Sequence, residues 1–143
     1  MFMLHTKKPE KFKPKFEVVS CFVEYQNEIL LLSRQDHKSE PNTYWVPAGK
    51  VGTWEKINEA ILREISEETG LKLDDLNYFK EVYVQYPTYE FIYHIYHKKL
   101  KEKPQIKINP EEHKEHIWRS PRKALDENLI QELDTCIKMF YNL

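Results

Sequence analysis

Three glutamates within five residues are the group in this sequence with the clearest potential for chemistry. Glu64, Glu67 and Glu68 fall in the segment 63–68. On an α-helix, where successive residues are about 100° apart, these three carboxylates lie on one face within roughly 100°. Like charges at such spacings destabilise a helix unless a cation lies among them, and hard divalent ions take oxygen ligands of this kind. The sequence therefore predicts a site for Mg²⁺, with Mn²⁺ as the alternative.

The element that carries these glutamates has the pattern of an amphipathic helix. From about Asn58 to Thr69 the spacing is helical, and Ile61 and Ile65 lie on a side about a third of a turn from the acids. Gly70 follows, at a place where helices often end on a left-handed residue. We therefore expect one helix that packs its apolar side on a sheet and shows its acids to a cleft.

A longer pattern of fixed positions surrounds the acidic segment. An acidic run by itself is typical of a solvated helix face, so the three glutamates alone do not establish a site. A chain of this size matches all positions of the longer pattern by chance with a probability on the order of 10⁻⁷ at average residue frequencies. The longer pattern therefore favours a functional site over a solvated helix face. The fixed positions are Gly49, Glu55, Arg63, Glu64, Ile65, Glu67, Glu68, Gly70 and Leu71.

With this pattern the sequence resembles the Nudix, or MutT-related, hydrolase family over residues 49–71. The resemblance implies an α/β fold, specifically an α/β/α sandwich with a central mixed sheet. It implies that a loop, a helix and a second loop hold divalent metal ions against a diphosphate. By position, Glu64, Glu67 and Glu68 correspond to metal ligands, Arg63 and Glu55 to an ion pair that fixes the loop, and Gly49 and Gly70 to residues needed for backbone geometry.

The resemblance also implies a further acidic or histidine residue just before a late strand that contains Trp118. Glu112, His113 and Glu115 are the candidates there, and we expect Glu112 to be an additional metal ligand or base. The residue that acts as general base is therefore unassigned between Glu64 and the residues of this loop.

Two basic residues are candidates for binding the substrate. Stabilising a leaving phosphate oxygen requires positive charge close to it. Arg34 and Lys50 are the residues that we expect to supply that charge. Surface solvation is the competing interpretation for both.

The remaining periodicities predict a single mixed α/β domain. Residues 1–15 are rich in Lys and Pro and are expected to form an N-terminal arm outside the core, before a hydrolase domain of residues 16–143. The predicted elements are a hairpin of residues 17–25 and 28–33, a short strand at 44–46, a second hairpin of residues 78–86 and 89–97, a strand at 116–119 and a helix from 121 to about 141.

Composition limits the partners of the protein. The 143 residues carry a formal net charge of −1, which argues against binding nucleic acid or an anionic membrane surface. No apolar stretch has the length of a signal peptide or a membrane span, and two cysteines give no disulfide framework. We therefore expect a cytoplasmic protein with a small-molecule substrate, in an assembly compatible with a homodimer.

The predicted function is metal-dependent hydrolysis of a nucleoside diphosphate linked to another group. The expected substrate is a nucleoside triphosphate or a nucleotide sugar, which is cleaved when water attacks phosphorus. Tyr25, Trp45, Tyr83 and Tyr86 are aromatic residues able to stack on a base. A non-catalytic nucleotide sensor and an isoprenoid-diphosphate isomerase are the alternatives, and the complete acidic set argues against both.

Overall fold

The structure, a computed structural model, describes residues 2–143. Eight strands and three helices follow one another within these residues. The strands are β1 (Met3–His5), β2 (Phe16–Tyr25), β3 (Glu28–Arg34), β4 (Tyr44–Trp45), β5 (Ala48–Lys50), β6 (Asn77–Gln85), β7 (Glu90–Lys99) and β8 (His113–Arg119). The helices are α1 (Ile57–Thr69), α2 (Pro121–Ala124) and α3 (Leu133–Tyr141).

All eight strands belong to one mixed sheet. The order along it is β1-β6-β7-β2-β3-β4, while β5 pairs with β2 and β8 pairs with β3. Only β2 and β7 run parallel, and the other pairs of strands are antiparallel. The two predicted hairpins are confirmed as β2–β3 and β6–β7, because each joins adjacent antiparallel strands through a short turn.

The central strands are covered on both faces, which explains their nearly continuous apolar sequences. In β3, Leu30 packs with Ile61 and Ile65 of α1, whereas the next residue, Leu31, packs with Leu133 of α3 on the opposite face. Successive side chains of a strand point to opposite faces, so one strand supplies both cores. The predicted sandwich of helices around a mixed sheet is confirmed.

Helix α1 begins and ends close to the predicted residues. The side chain of Glu59 accepts a hydrogen bond from the Lys56 backbone N–H at 3.0 Å, which satisfies a donor that the first turn leaves unpaired. Gly70 ends the helix with φ 78°, a left-handed conformation that favours glycine, and its N–H bonds the Ser66 carbonyl. The apolar side of α1, which includes Ala60, Ile61 and Ile65, is buried on the sheet.

The single C-terminal helix predicted from Pro121 is wrong, because the structure contains two helices separated by residues 125–132. This connection is anchored to the sheet: Ile130 is buried, and its N–H donates to the Tyr44 carbonyl at 3.0 Å. Glu132 then has φ 67°, which an α-helix cannot include. Strand β8 also starts three residues earlier than predicted, at His113, since it extends its pairing with β3.

Part of the predicted N-terminal arm is attached to the sheet. Residues 3–5 form strand β1 and pair with β6, and Phe12 is buried against Tyr83. The expectation that this segment adds nothing to the sheet or core is therefore corrected, while the division of the chain at residue 15 stays a prediction. No helix within residues 2–143 is long and apolar enough to cross a membrane.

Candidate active site

Glu64 approaches the backbone of β5 very closely. A Cβ atom built on Gly49 would lie 2.2 Å from the Cδ atom of Glu64 and 2.3–2.5 Å from its two carboxylate oxygens. Any side chain at position 49 would therefore occupy the space that the Glu64 carboxylate fills. Position 49 requires glycine because the Glu64 carboxylate lies directly against its backbone, in the cleft between α1 and the sheet.

Glu68 lies one turn further along α1 and is buried. Its Oε1 accepts a hydrogen bond from the Ala48 N–H at 3.3 Å. Burial, followed by the hydrogen bond and the charge of Glu64, raises the pKa of Glu68 well above its usual range. A compensating cation beside Glu68 would favour its ionised form.

Arg63 ties the loop after β5 to the helix. Its Nε donates to Glu55 Oε2 at 2.7 Å, its Nη2 donates to Glu55 Oε1 at 2.9 Å, and Nη2 also reaches the Lys50 carbonyl at 3.1 Å. The Arg63 hydrogen bonds, and then the Gly52 N–H, lower the pKa of Glu55 to about 2. The ion pair that the family resemblance implies is thus present, and it is the bidentate kind that fixes geometry.

The three predicted carboxylates do not share one environment. Arg63 Nη1 donates to Glu64 Oε1 at 2.9 Å and to Glu67 Oε2 at 3.2 Å, so it bridges two of them. Glu67 is 52% exposed and lies outside the cleft that Glu64 and Glu68 line. Among residues 2–143, no three Asp, Glu, His or Cys side chains are grouped closely enough to hold a metal ion.

The loop before β8 contributes to the same cleft. Glu112 at the end of this loop and His113, the first residue of β8, line the cavity together with Glu64 and Glu68, and the cavity has a volume of about 330 Å³. Glu112 forms an ion pair with Lys38 at 3.5 Å, a contact that sequence reasoning missed. His113 is buried, its Nδ1 has no hydrogen-bond partner in the described chain, and burial lowers its pKa to about 4.

The third candidate of that loop, Glu115, lies elsewhere. Its carboxylate accepts a hydrogen bond from the Tyr44 hydroxyl at 2.6 Å. This bond occupies the side chain in a contact between β8 and β4, outside the residues that line the cleft.

Arg34 and Lys50 lie where the acidic cleft opens into a larger cavity of about 490 Å³. Arg34 donates from Nε to the Ser39 carbonyl at 2.7 Å, and its guanidinium lies over the Trp45 ring. The Nζ of Lys50 lies 4.2 Å from the centre of the Phe16 ring. Both predicted substrate residues are therefore placed between the two cavities, each held against an aromatic face.

Comparison with known proteins agrees with this geometry. The model of the NUDIX domain matches residues 14–140. The chain belongs to the Nudix hydrolase family. No curated protein matches the sequence.

Solved structures of Nudix proteins share the fold at low sequence identity. The MutT protein from Methanosarcina mazei Go1 is 24% identical with a TM-score of 0.75, and the match covers 91% of this chain and 95% of that one. A C. elegans Ap4A hydrolase is 17% identical with a TM-score of 0.73, covering 89% and 96%. The NUDIX domain of Shewanella oneidensis NrtR, solved with ADP ribose, is 16% identical with a TM-score of 0.75, covering 95% and 92%.

Nudix hydrolases generally use divalent metals, and the residues of this cleft fit such an ion by their donor chemistry. Glu64, Glu68 and Glu112 supply carboxylate oxygens, which are the ligands that Mg²⁺ prefers. Glu64 and Glu68 come from the Nudix box and Glu112 from the loop before β8, and among residues 2–143 their carboxylates would have to converge from the present rotamers to hold one ion. The space for Glu64 is created by Gly49.

The larger cavity beside the Nudix box has a flat aromatic wall. The rings of Phe16 and Phe91 are 5.1 Å apart at 14°, and those of Tyr86 and Tyr89 are 5.1 Å apart at 25°. Trp45 lines the cavity as well. Of the four aromatic residues predicted to stack on a base, Trp45 and Tyr86 line this pocket, whereas Tyr25 and Tyr83 pack against Trp118 and Phe12.

Glu132, at the wall of this pocket, is the residue that the sequence most clearly failed to indicate. It is 4% exposed, and it accepts a hydrogen bond from the Tyr86 hydroxyl at 2.8 Å. The helical periodicity after Pro121 places residue 132 inside a helix, so nothing in the sequence suggests that it reaches a cavity shared with β5. The contact depends on the break between α2 and α3.

Proposed function

We propose that this protein hydrolyses nucleoside diphosphates linked to another group, with a nucleoside triphosphate or a nucleotide sugar as substrate. One observation carries the proposal. The acidic cleft and the aromatic pocket adjoin each other, because they share the lining residues Arg34, Trp45, Gly49 and Lys50. A site for phosphates and a site for a flat base therefore meet at two cationic side chains.

The cleft supplies the groups that bind and orient the diphosphate. Glu64 and Glu68 would hold Mg²⁺, with Glu112 or Glu67 completing the set after a change of side-chain rotamer. A divalent cation bound there would neutralise the diphosphate and acidify the water that attacks phosphorus. Arg34 and Lys50 would bind phosphate oxygens at the mouth of the cleft and stabilise the charge that develops on the leaving group.

Arg63 and Glu55 act as positioning residues. Their bidentate contact holds the loop of residues 50–55 on α1, and Arg63 Nη1 keeps the Glu64 carboxylate in place at 2.9 Å. A displacement of about 1 Å at a reacting group lowers a rate by roughly 100-fold. The network therefore contributes to catalysis through Glu64 without contacting substrate.

Proton removal from water is assigned to either Glu64 or Glu112. Arg63 already binds the Glu64 carboxylate at 2.9 Å, whereas Glu112 contacts Lys38 at the longer distance of 3.5 Å. The longer contact leaves the Glu112 carboxylate less engaged by its cation than the Glu64 carboxylate is. Glu112→Gln and Glu64→Gln separate the two assignments in assays at saturating Mn²⁺, because only loss of the base removes the acidic limb of the pH profile of kcat.

Purified protein with Mg²⁺ and a panel of nucleoside triphosphates, nucleotide sugars, ADP-ribose and dinucleoside polyphosphates tests the proposal by separation of products. We expect cleavage of at least one member to a nucleoside monophosphate, and a loss of activity of at least about 100-fold in Glu68→Gln. Glu102→Gln, an exposed acid outside the cleft, is the matched control and retains activity. A panel that is bound without cleavage would favour the sensor function and refute hydrolysis.

A further inference from the structure

Trp54, in the loop between β5 and α1, is the most exposed large apolar side chain among residues 2–143. It is 98% exposed, although burial of a tryptophan ring is strongly favourable. Its backbone has φ 67°, a left-handed conformation that is unfavourable for a bulky residue. Neither feature stabilises the fold. A single exposed ring does not by itself make a binding site, so the surroundings of Trp54 decide what it contacts.

The loop that carries Trp54 is held in one geometry. The Gly52 N–H donates to Glu55 Oε1 at 2.8 Å, and Arg63 binds the same carboxylate through two of its nitrogens. A side chain on a fixed loop loses less conformational entropy when it binds a ligand than one on a mobile loop does. The Trp54 ring is therefore preorganised as a stacking surface.

A groove of about 530 Å³ lies beside Trp54 and is called the Trp54 groove. It is lined by the loop residues 51–55, by Pro14 and Lys15 at the end of the N-terminal arm, and by Phe16. Lys15 and Phe16 also line the aromatic pocket, so the groove and that pocket adjoin each other. Among the described residues, none lines both the groove and the acidic cleft.

The arm that ends at this groove is strongly basic. Residues 7–15 contain five lysines and one glutamate, and in the described chain these five lysines are exposed and form no ion pair. The two acids that line the groove are engaged, since Glu17 contacts His94 and Glu55 contacts Arg63, both at 2.7 Å. The formal net charge of −1 is a sum over the chain, whereas this segment is a local surface that attracts phosphate.

The order of the three cavities indicates which ligand the groove fits. In the proposed function the acidic cleft holds the phosphates and the aromatic pocket holds the base. The Trp54 groove adjoins only the aromatic pocket, so it lies on the side of the nucleoside away from the 5′ phosphates. The chain of an oligonucleotide continues on that side through the 3′ oxygen. A dinucleoside polyphosphate carries its second nucleoside on the phosphate side, so the site for that nucleoside would adjoin the acidic cleft.

We propose that the Trp54 groove is a second binding site, which takes the second nucleotide of an oligonucleotide with a 5′ triphosphate. The inference rests on the proposed function, because the acidic cleft holds the triphosphate of the same ligand. The second base stacks on Trp54, and Lys15 binds the phosphodiester between the two nucleotides. Water adds its oxygen to the α phosphorus and gives a proton to the general base. The bond from that phosphorus to the α–β bridging oxygen breaks, so pyrophosphate leaves and a 5′-monophosphorylated oligonucleotide remains.

The experiment compares a dinucleotide with a mononucleotide that has the same 5′ end. With Mg²⁺ present, kcat/KM is measured for pppApA and ATP, and the deoxy counterpart pppdApdA shows whether the site accepts RNA, DNA or both. Calorimetric titration of pApA and AMP without metal measures binding in the absence of turnover. Stacking of one base on an aromatic ring changes affinity by roughly 5-fold or more, so we expect a dinucleotide preference of at least about 5-fold in both measurements.

Three variants test the residues that line the groove. Trp54→Gly removes the ring and adopts the left-handed backbone without strain, so it should fold and should reduce the dinucleotide preference to about twofold or less. Trp54→Phe keeps a ring and should retain at least about half of the preference. Lys15→Gln should lower the preference and weaken its dependence on salt. Lys103→Gln, an exposed lysine in the connection between β7 and β8, is the matched control and keeps the wild-type ratio. Circular dichroism and thermal unfolding verify that each variant is folded.

Three results overturn the inference. The first is equal binding and turnover of dinucleotide and mononucleotide, and the second is a folded Trp54→Gly that keeps the wild-type ratio. The third is binding to vesicles of phosphatidylcholine and phosphatidylserine that depends on Trp54 and is not reduced by pApA, because the ring would then contact lipid. A dinucleotide preference that depends on Trp54, together with triphosphates that stay intact, supports the inference and refutes the proposed hydrolysis. Hydrolysis of ATP without any dinucleotide preference overturns the inference alone.

Discussion

Replacing Gly49 with alanine tests how closely the site depends on the contact between β5 and α1. The new Cβ would lie 2.2 Å from Glu64 Cδ, whereas ordinary van der Waals contact begins at 3.4 Å, so the carboxyl group must move by about 1.2 Å. The backbone at residue 49 is not left-handed, so alanine fits it without strain. The substitution therefore acts on the Glu64 side chain rather than on the fold.

The expected result is a loss of activity without a loss of stability. A displacement of about 1 Å lowers kcat by roughly 100-fold. Alanine reduces the entropy of the unfolded chain and gains about 0.4–1 kcal/mol, while losing the Arg63–Glu64 contact costs about 1 kcal/mol. The free energy of unfolding should thus change by less than about 1 kcal/mol, or roughly 3 °C in Tm.

Steady-state kinetics measure kcat, thermal unfolding measures Tm, and calorimetric titration measures the affinity for Mn²⁺. Gly52→Ala is the matched control, because its Cβ would lie 3.1 Å from Glu55 Oε1 and needs a shift of only a few tenths of an ångström. We expect that variant to stay within about threefold of wild-type activity and Gly49→Ala to bind Mn²⁺ at least about 10-fold more weakly. Wild-type kinetics in folded Gly49→Ala would refute the role given to the Glu64 carboxylate.

Three further predictions concern single side chains. Arg63→Lys cannot form the bidentate contact with Glu55, so kcat should fall by about 10-fold with a small change in Tm, as kinetics and calorimetry would show; an unchanged kcat would contradict its positioning role. Glu68→Gln removes a buried acid beside Glu64, so without metal its Tm should equal or exceed that of the wild type while Mn²⁺ affinity falls; a clear drop in Tm would show that the acid stabilises the fold. Burial raises the pKa of Glu132 from 4.5 to about 8, so the folded state binds this proton more tightly and loses stability as pH rises from about 5 to 8. Urea unfolding across that range should show the wild type losing on the order of 3 kcal/mol relative to Glu132→Gln, and parallel curves would exclude the effect.

The local elements were predictable because their determinants are local. The alternating and continuous apolar runs identified β2, β3, β6 and β7, and Gly70 marked the end of α1 with the expected left-handed conformation. The helix after Pro121 was the main error. Its continuous periodicity conceals a break that is stabilised by the contact of Ile130 with Tyr44, two residues far apart in sequence.

The amino-acid sequence by itself determined the family, the reaction class that the family implies and the helix that carries Glu64 and Glu68, because helical spacing fixes which side chains share a face. Tertiary structure decided which of these side chains line the cleft. Arg63 contacts Glu67 outside it, while Glu112 of the loop before β8 and His113 of β8 reach it. Glu132 reaches the aromatic pocket through the break before α3, so its place in the wall depends on chain contacts that no local pattern specifies.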